Sequence, residues 1–268
     1  EGCATISDGN GNLLFYTSGV TIWDRTHNPM PNGTGLLGDF SSSQSAIVVP
    51  DPGNPDLYYV FTVDDLGGPN GFQYSVVDMS LNGGLGDVTL KNIPLTTPVA
   101  EKLTAVEHAN GTDIWVLVHT YGNDQFLAYL VTPTGLVTTP VVSAVGENLP
   151  LHSGARGVGG YMKISPDGQF LAYVTGTGRD RHLFRFDTLT GQVSDFIELN
   201  PYFPASTNTV LNSSYGVEFS SDSSKLYITS SNFFQNFTSE YNIHQFDLTT
   251  YSEAAILASG VEIAPMRP

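Results

Sequence analysis

Apolar residues along this chain occur in short runs or alternate with polar residues, and clusters of Gly, Pro, Asn, Asp and Ser separate the runs. A period of two over such short runs is typical of β-strands. Residues 164–175 show the pattern as an apolar run, a turn containing Pro166-Asp167-Gly168, and a second apolar run. Residues 219–229 match them in residue type. Each segment therefore predicts a β-hairpin.

The same hairpin pattern recurs along the whole chain. It appears at residues 4–17, 47–62 and 103–119, and a further start at 260–265 resembles the first half of another copy. Equivalent apolar positions are 43 to 58 residues apart, at Ile6, Val49, Val106, Ile164, Phe219 and Ile263. Self-similarity at this spacing indicates a repeat architecture.

A second landmark gives the number of strands in each repeat. A third run ends on an apolar residue followed by a turn former, at Trp23-Asp24, Val77-Asp78, Val131-Thr132, Phe186-Asp187 and Phe246-Asp247. A short fourth run follows, such as residues 192–197. Four strands in about 50 residues, without a helical period, predict the blades of an all-β propeller. We interpret residues 1–268 as a single propeller domain showing five blades and the start of a sixth, with six or seven blades in the closed ring; the alternative is a β-sandwich.

Composition narrows the possible partners. The 268 residues include 10 Lys and Arg against 26 Asp and Glu, a net charge of −16, which excludes binding to a phosphate backbone. No run of 18 apolar residues occurs, so the sequence predicts no membrane insertion. The chain begins at Glu1 without an initiator Met and stops in mid-pattern, and we expect it to be part of a larger multi-domain surface protein.

Several segments resemble the propeller region of large secreted surface proteins of gliding bacteria. The resemblance lies in residues 1–17, 30–38, 44–50, 102–111, 160–168 and 215–220. Such proteins are exported by the type IX secretion system and carry a gliding-motility-associated C-terminal sorting domain. The resemblance implies an extracellular, cell-surface location and contact with the secretion machinery through a domain outside this sequence. It implies no defined catalytic activity.

The sequence contains no catalytic or cofactor motif. Gly-x-Ser-x-Gly, Walker A and dinucleotide-binding patterns are missing, and no two of the six His lie within four positions of each other. Asp8 to Asn12 resemble the start of a calcium loop, but Gly19 stands where a bidentate Glu is needed. We therefore predict no catalytic residues, no metal and no cofactor. A metal site could only combine residues from several blades, such as Glu107 with nearby histidines.

Carboxylates and aromatic side chains supply the candidate ligand site. Glu107, Glu218 and Glu262 hold corresponding places on predicted first strands, so we expect them near the axial channel, as acid and base or paired with Lys102 and Lys163. Aromatic residues there, and in a predicted loop at 230–238, could stack on sugars. The predicted ligand-binding residues are Gln44, Lys102, Glu107, His108, His119, His152, Tyr161, Lys163, Tyr215, Glu218, Phe233 and Phe234.

These observations lead to a main functional prediction and two alternatives. The main prediction is a non-catalytic extracellular binding or adhesion module, exported by the type IX system, with a glycan or protein ligand at one propeller face. One alternative is a carbohydrate-active enzyme with channel-facing carboxylates. The other is a passive structural spacer.

Overall fold

The computed structural model describes residues 2–148, 158–176, 180–203, 210–234 and 239–266. These residues form five separate antiparallel sheets in chain order. The predicted all-β propeller architecture of four-stranded blades is confirmed. In the described ranges, no helix is long and apolar enough to cross a membrane.

Each sheet is built from consecutive strands. The first contains β1 (Ala4–Ser7), β2 (Leu13–Thr17), β3 (Thr21–Asp24) and β4 (Pro29–Thr34). The second contains β5 (Ala46–Asp51), β6 (Asn54–Val63), β7 (Phe72–Asp78) and β8 (Asp87–Thr96). The third contains β9 (Val99–Glu107), β10 (Ile114–Thr120), β11 (Gln125–Thr132) and β12 (Gly135–Ala144). The fourth contains β13 (Met162–Ile164), β14 (Phe170–Val174), β15 (Arg181–Asp187) and β16 (Gln192–Glu198).

The fifth sheet is more elaborate. Two short strands, β17 (Val210–Ser213) and β18 (Val217–Phe219), pair one after the other with β19 (Lys225–Phe234). β20 (Ser239–Asp247) follows, then helix α1 (Glu253–Ser259) and β21 (Val261–Met266). Short 3-10 turns lie at Asn82–Gly84 and Asn200–Tyr202.

The repeated hairpins have the same turn chemistry. Ser165 Oγ donates to Asp167 at 2.6 Å and accepts from the N–H of Phe170 at 2.9 Å. Ser220 Oγ donates to Asp222 at 2.6 Å and accepts from the next strand's first N–H at 2.9 Å. A serine followed two residues later by aspartate satisfies the turn's backbone groups locally. This local pairing explains why the repeat is readable from the sequence.

The hydrophobic core consists of four layers, one between each pair of neighbouring sheets. Phe15 and Val60 belong to the first layer, and Phe61 and Tyr129 to the second. The third and fourth layers lie between the third, fourth and fifth sheets. One twisted sheet cannot cover both of its own faces, and stacking buries each internal face against the next sheet.

The first strands of the sheets lie side by side along the inner edge of the stack. β5 contacts both β1 and β9, and β13 contacts both β9 and β18. We name the two ends of this inner edge the start end, where these strands begin, and the finish end, where they end. The inner edge brings together residues that are far apart in sequence.

The predicted start of a sixth blade is wrong. β21 pairs antiparallel with β20, with Ile243 opposite Ala264 and His244 opposite Glu262. Residues 260–265 thus form the fourth strand of the fifth sheet, and Glu262 lies on an outer strand. The reason is α1, which is capped by Ser252 and anchored by the fully buried Ile256, and which returns the chain alongside β20.

Candidate functional site

The structure groups the predicted ligand-binding residues into two main regions. Gln44, Lys102, Tyr161 and Tyr215 lie at the start end, with Lys163 and Glu218 just beyond them on β13 and β18. Glu107, the last residue of β9, and His108, the next residue, lie at the finish end. His119 is buried in β10. His152 lies outside the described residues.

Phe233 and Phe234 belong to a strand, where the sequence predicted a loop. They are the last residues of β19, with Phe233 opposite Leu211 on one side and Ser239 on the other. Residues 230–234 therefore continue the sheet. The sequence there shows no alternation of apolar and polar residues, and the surrounding Ser and Asn are typical of loops.

A hydrogen-bond network at the start end links four sheets. Ser43 Oγ donates to Glu101 Oε2 at 3.2 Å and accepts from Tyr215 Oη at 2.9 Å. Gln44 uses its amide on both backbone groups of Met162, accepting from N at 2.8 Å and donating to O at 3.2 Å. These contacts fix the inner edge across the second, third, fourth and fifth sheets, which is a structural role for Gln44 and Tyr215.

Lys102 is fully buried beside this network. Its Nζ donates to the carbonyl oxygens of Gly159 at 2.5 Å, Val174 at 3.1 Å and Gly160 at 3.4 Å. Burial lowers the pKa of Lys102 to about 7, against the opposing effect of the nearby Glu101 and Asp180 charges. The predicted pairing of Lys102 with a channel carboxylate is replaced by these three carbonyl contacts.

Lys163 and Glu218 form the ion pair that the sequence predicted as one possibility. Lys163 Nζ lies 3.0 Å from Glu218 Oε2, while the other carboxylate oxygen accepts from the N–H of Phe219 at 3.1 Å. Both carboxylate oxygens are therefore held in place. The Glu218 side chain is 60% exposed, so water and ligands reach it.

Glu218 lies on the wall of a cavity of about 280 Å³. The remaining lining residues are Tyr161, Gly216, Val217, Tyr227, Ile228, Thr229 and Ile243. Two phenol rings, a hydroxyl and one carboxylate around an otherwise apolar surface are the mixture that small polar organic ligands require. Among these lining residues Glu218 is the only carboxylate.

Glu107 occupies a different cavity at the finish end, of about 380 Å³. Apart from Glu107 and Thr112, its lining is apolar and includes Val49, Pro50 and Ile114. His108 accepts from the N–H of Asn110 at 2.9 Å and contacts the carbonyl of Leu189 at 3.1 Å, so it organises a turn.

The two glutamates are too far apart to act together on one glycosidic bond. Ile164 N donates to Thr104 Oγ1 at 3.4 Å, which places these two residues level on adjacent inner strands. Glu218 pairs with Lys163, one residue before that level, so Glu107 lies four residues further along, or about 13 Å at the usual rise of a strand. Glycosidase carboxylates stand about 5–9.5 Å apart. The paired-carboxylate arrangement is therefore not formed by Glu107 and Glu218, and Glu262 lies on an outer strand.

A buried polar cluster between the third and fourth sheets includes residues that sequence reasoning missed. His119 is 0% exposed, and His182 Nδ1 lies 2.7 Å from Tyr173 Oη. Burial lowers the pKa of His119 to about 4 and that of His182 to about 3. Burial also raises the pKa of Glu147, and the neighbouring Glu198 and Asp180 charges reinforce the shift. Perturbed groups gathered in this way are typical of functional sites.

No protein-family model and no curated protein sequence matches the chain. Solved structures resemble it in fold. A "putative 6-phosphogluconolactonase" from Bacteroides uniformis is 15% identical, with a TM-score of 0.52 over 98% of this chain and 70% of that one. The periplasmic gluconolactonase of Pseudomonas aeruginosa is 13% identical, with a TM-score of 0.48 over 98% and 69%. The β-propeller domain of Myceliophteria thermophila Cps50 is 11% identical, with a TM-score of 0.48 over 98% and 72%.

The comparison corrects the main functional prediction. The chain was expected to be a non-catalytic binding or adhesion module, whereas a solved structure with a TM-score of 0.52 carries the name "putative 6-phosphogluconolactonase". The alternative prediction, a carbohydrate-active enzyme with channel-facing carboxylates, is better supported. At 15% identity the likeness itself establishes the fold.

Proposed function

We propose that the protein is a carbohydrate-active enzyme that hydrolyses the ring ester of a sugar lactone, with Glu218 as the general base. The observation that carries the proposal is the oriented Lys163–Glu218 pair, 3.0 Å apart, at a cavity that also presents Tyr161 and Tyr227. Lactone hydrolysis needs one base to activate water, which suits a cavity with a single carboxylate.

In the proposed reaction Glu218 acts as the base and Lys163 stabilises the oxyanion. Glu218 accepts a proton from a water molecule, whose oxygen attacks the lactone carbonyl carbon. The tetrahedral oxyanion is stabilised by the positive charge of Lys163 Nζ. The ring C–O bond then breaks, the leaving alkoxide takes up the proton that Glu218 accepted from the water, and the product is an open-chain sugar acid. Tyr161 and Tyr227 offer ring faces to the C–H surface of the sugar.

Charge favours an unphosphorylated lactone. The protein carries a net charge of −16, which repels phosphate esters at long range. Among the residues that line the cavity there is no Lys or Arg, and the adjacent Lys163 is assigned to the oxyanion, which leaves no cation of the cavity for a phosphate. We therefore infer that a neutral aldonolactone is turned over faster than its 6-phosphate.

The test is lactone hydrolysis measured in a pH-stat, with the spontaneous rate subtracted. We expect saturable hydrolysis of glucono-1,5-lactone or a related neutral lactone by the unmodified protein. Glu218→Gln keeps the shape of the side chain but removes the base, and we expect a loss of at least about 100-fold in kcat. Glu107→Gln is the matched control, because it changes the same residue type on an inner strand of a different sheet, and its rate should stay within about twofold.

Two results would contradict the proposal. The first is equal hydrolysis by Glu218→Gln and the unmodified protein, which would show that this carboxylate is not the base. The second is the lack of any rate above background across a panel of neutral and phosphorylated lactones by protein whose folding is confirmed by circular dichroism.

A further inference from the structure

Three side chains from two segments of the chain converge beside the fourth sheet. His182 lies on β15, Asp180 directly precedes that strand, and Glu147 follows β12. One donor atom from each residue lies within 4.8 Å of the other two, and His182 Nε2 is 3.9 Å from Glu147 Oε2. Glu147 and His182 are about 35 residues apart in the sequence, so only the packing of the sheets brings them together.

The imidazole nitrogen that faces the carboxylates has no hydrogen-bond partner among the described residues. The His182 side chain is 0% exposed and its Nε2 is buried. A distance of 3.9 Å from Glu147 is too long for a hydrogen bond. An unpaired nitrogen buried this deeply is costly, and it points to a ligand that the polypeptide itself does not supply.

Tyr173 fixes the other imidazole nitrogen. Its Oη lies 2.7 Å from His182 Nδ1 and can accept a hydrogen bond from a protonated Nδ1; in that tautomer the lone pair of Nε2 faces Glu147 and Asp180. Metal-ligating histidines commonly have the second nitrogen hydrogen-bonded in this way, which orients the ring and selects the tautomer. Two carboxylates facing a nitrogen lone pair repel one another, and a cation bound between them removes that repulsion.

We propose that Glu147, Asp180 and His182 form a binding site for a divalent transition-metal ion. Ligands at about 2.1 Å from an ion lie about 3–4 Å apart, and the 53% exposed Glu147 side chain can close the small remaining gap. One nitrogen and two carboxylate oxygens suit Zn²⁺ or Mn²⁺ better than Ca²⁺ or Mg²⁺, which prefer oxygen alone. Three protein ligands leave coordination positions for water.

A second acidic cluster shows why the histidine matters. Asp39, Asp64 and Asp65 also have donor atoms within 4.8 Å of one another. Asp64 already accepts from the N–H groups of Asp65 at 3.0 Å and Asn70 at 2.9 Å, so its carboxylate organises a loop. For this reason we propose no metal site at Asp39, Asp64 and Asp65.

The proposal is tested with the whole chain, without an affinity tag, stripped of metal with EDTA. Calorimetric titration with Zn²⁺ and with Mn²⁺ should each show one site per chain. Glu147→Gln and Asp180→Asn should each weaken binding at least about 10-fold, and Glu107→Gln, an exposed acid at the finish end, should leave it unchanged. Tyr173→Phe removes the partner of Nδ1 and should weaken binding about 10- to 100-fold.

A spectroscopic measurement distinguishes metal coordinated at this site from metal bound nonspecifically to surface carboxylates. Pulsed electron paramagnetic resonance of the Mn²⁺-loaded protein should show coupling to an imidazole nitrogen, and His182→Gln should remove it. Because His182 is buried, that variant is first checked for folding, and the Glu147→Gln titration stands on its own. The proposal is overturned by a lack of saturable Zn²⁺ and Mn²⁺ binding, by unchanged affinity in Glu147→Gln and Asp180→Asn, or by bound Mn²⁺ without nitrogen coupling. None of these outcomes depends on lactone hydrolysis.

Discussion

His119 makes the stability of the protein depend on pH in a way that can be calculated. The side chain is 0% exposed, its Nδ1 lies 2.6 Å from the carbonyl oxygen of Thr120, and its Nε2 has no hydrogen-bond partner among the described residues. The ring packs edge-on against Phe126, with centroids 4.5 Å apart, and against Tyr173 at 5.5 Å. Lys102 is the nearby cation. Burial is the main reason why the pKa of His119 falls from 6.5 to about 4.

The direction in which stability changes with pH follows from the protons that His119 binds in the folded and unfolded states. The unfolded chain binds a proton at this residue below pH 6.5, whereas the folded protein does so only below about pH 4. The neutral histidine therefore contributes stability above pH 6.5, and that contribution is lost as the pH falls. Linkage gives a loss of about 2 kcal/mol in the free energy of unfolding between pH 7 and pH 5.

Replacing His119 with Leu should abolish this part of the pH dependence. Urea unfolding at pH 7, 6 and 5 gives the free energy of unfolding of both proteins, and groups that are common to both cancel in the difference. We expect the unmodified protein to lose about 2 kcal/mol more than His119→Leu between pH 7 and pH 5. Phe126→Leu is the control, because it alters packing against the same ring without removing a titrating group, and its loss should follow the unmodified protein. Parallel curves for His119→Leu and the unmodified protein would refute the reasoning.

Two further predictions concern single positions. Gly191→Ala should lower the free energy of unfolding by about 1–3 kcal/mol, because Gly191 has a φ of +74° and a Cβ there would lie 2.7 Å from the Trp115 ring. Gly9→Ala, where a Cβ meets nothing within 4 Å, should change it by less than about 0.5 kcal/mol; equal effects in chemical denaturation would contradict the steric account. Glu262→Gln should leave lactone hydrolysis within about twofold of the unmodified protein, since Glu262 lies opposite His244 on the outer pair of strands; a loss comparable to that of Glu218→Gln would contradict this placement.

Much of the strand architecture could be predicted because its determinants are local. The pattern at residues 164–175 predicted a hairpin, and β13 and β14 pair there with Met162 opposite Tyr173. Asp187 and Asp247 were predicted to end third strands, and they are the last residues of β15 and β20. A turn former directly after an apolar run acts on its own backbone, so a single sequence carries the information.

The local sequence pattern does not determine which strand pairs with which. Residues 260–265 have the pattern of a first strand, and they form β21 at the outer edge of the fifth sheet. Alternation fixes which side chains face the core, but it does not state which strand lies alongside. The anchoring of Ile256 in the core between the fourth and fifth sheets determined the pairing.

The candidate sites likewise depend partly on features that the sequence determines and partly on features that only the tertiary structure determines. By itself the sequence determined the strands, their turns, the repeat and the acidic surface, because each depends on neighbouring residues or on composition. The sequence also predicted a contact between Lys163 and Glu218 as one possibility, because their places on equivalent strands could be counted along the repeat. Only the tertiary structure decided that Glu107 lies about 13 Å further along the inner edge than Glu218, which is too far to assist it, and that His182 meets Glu147 and Asp180. Those relations depend on how the sheets stack, and the stacking energy comes from whole apolar faces rather than from any short run of residues.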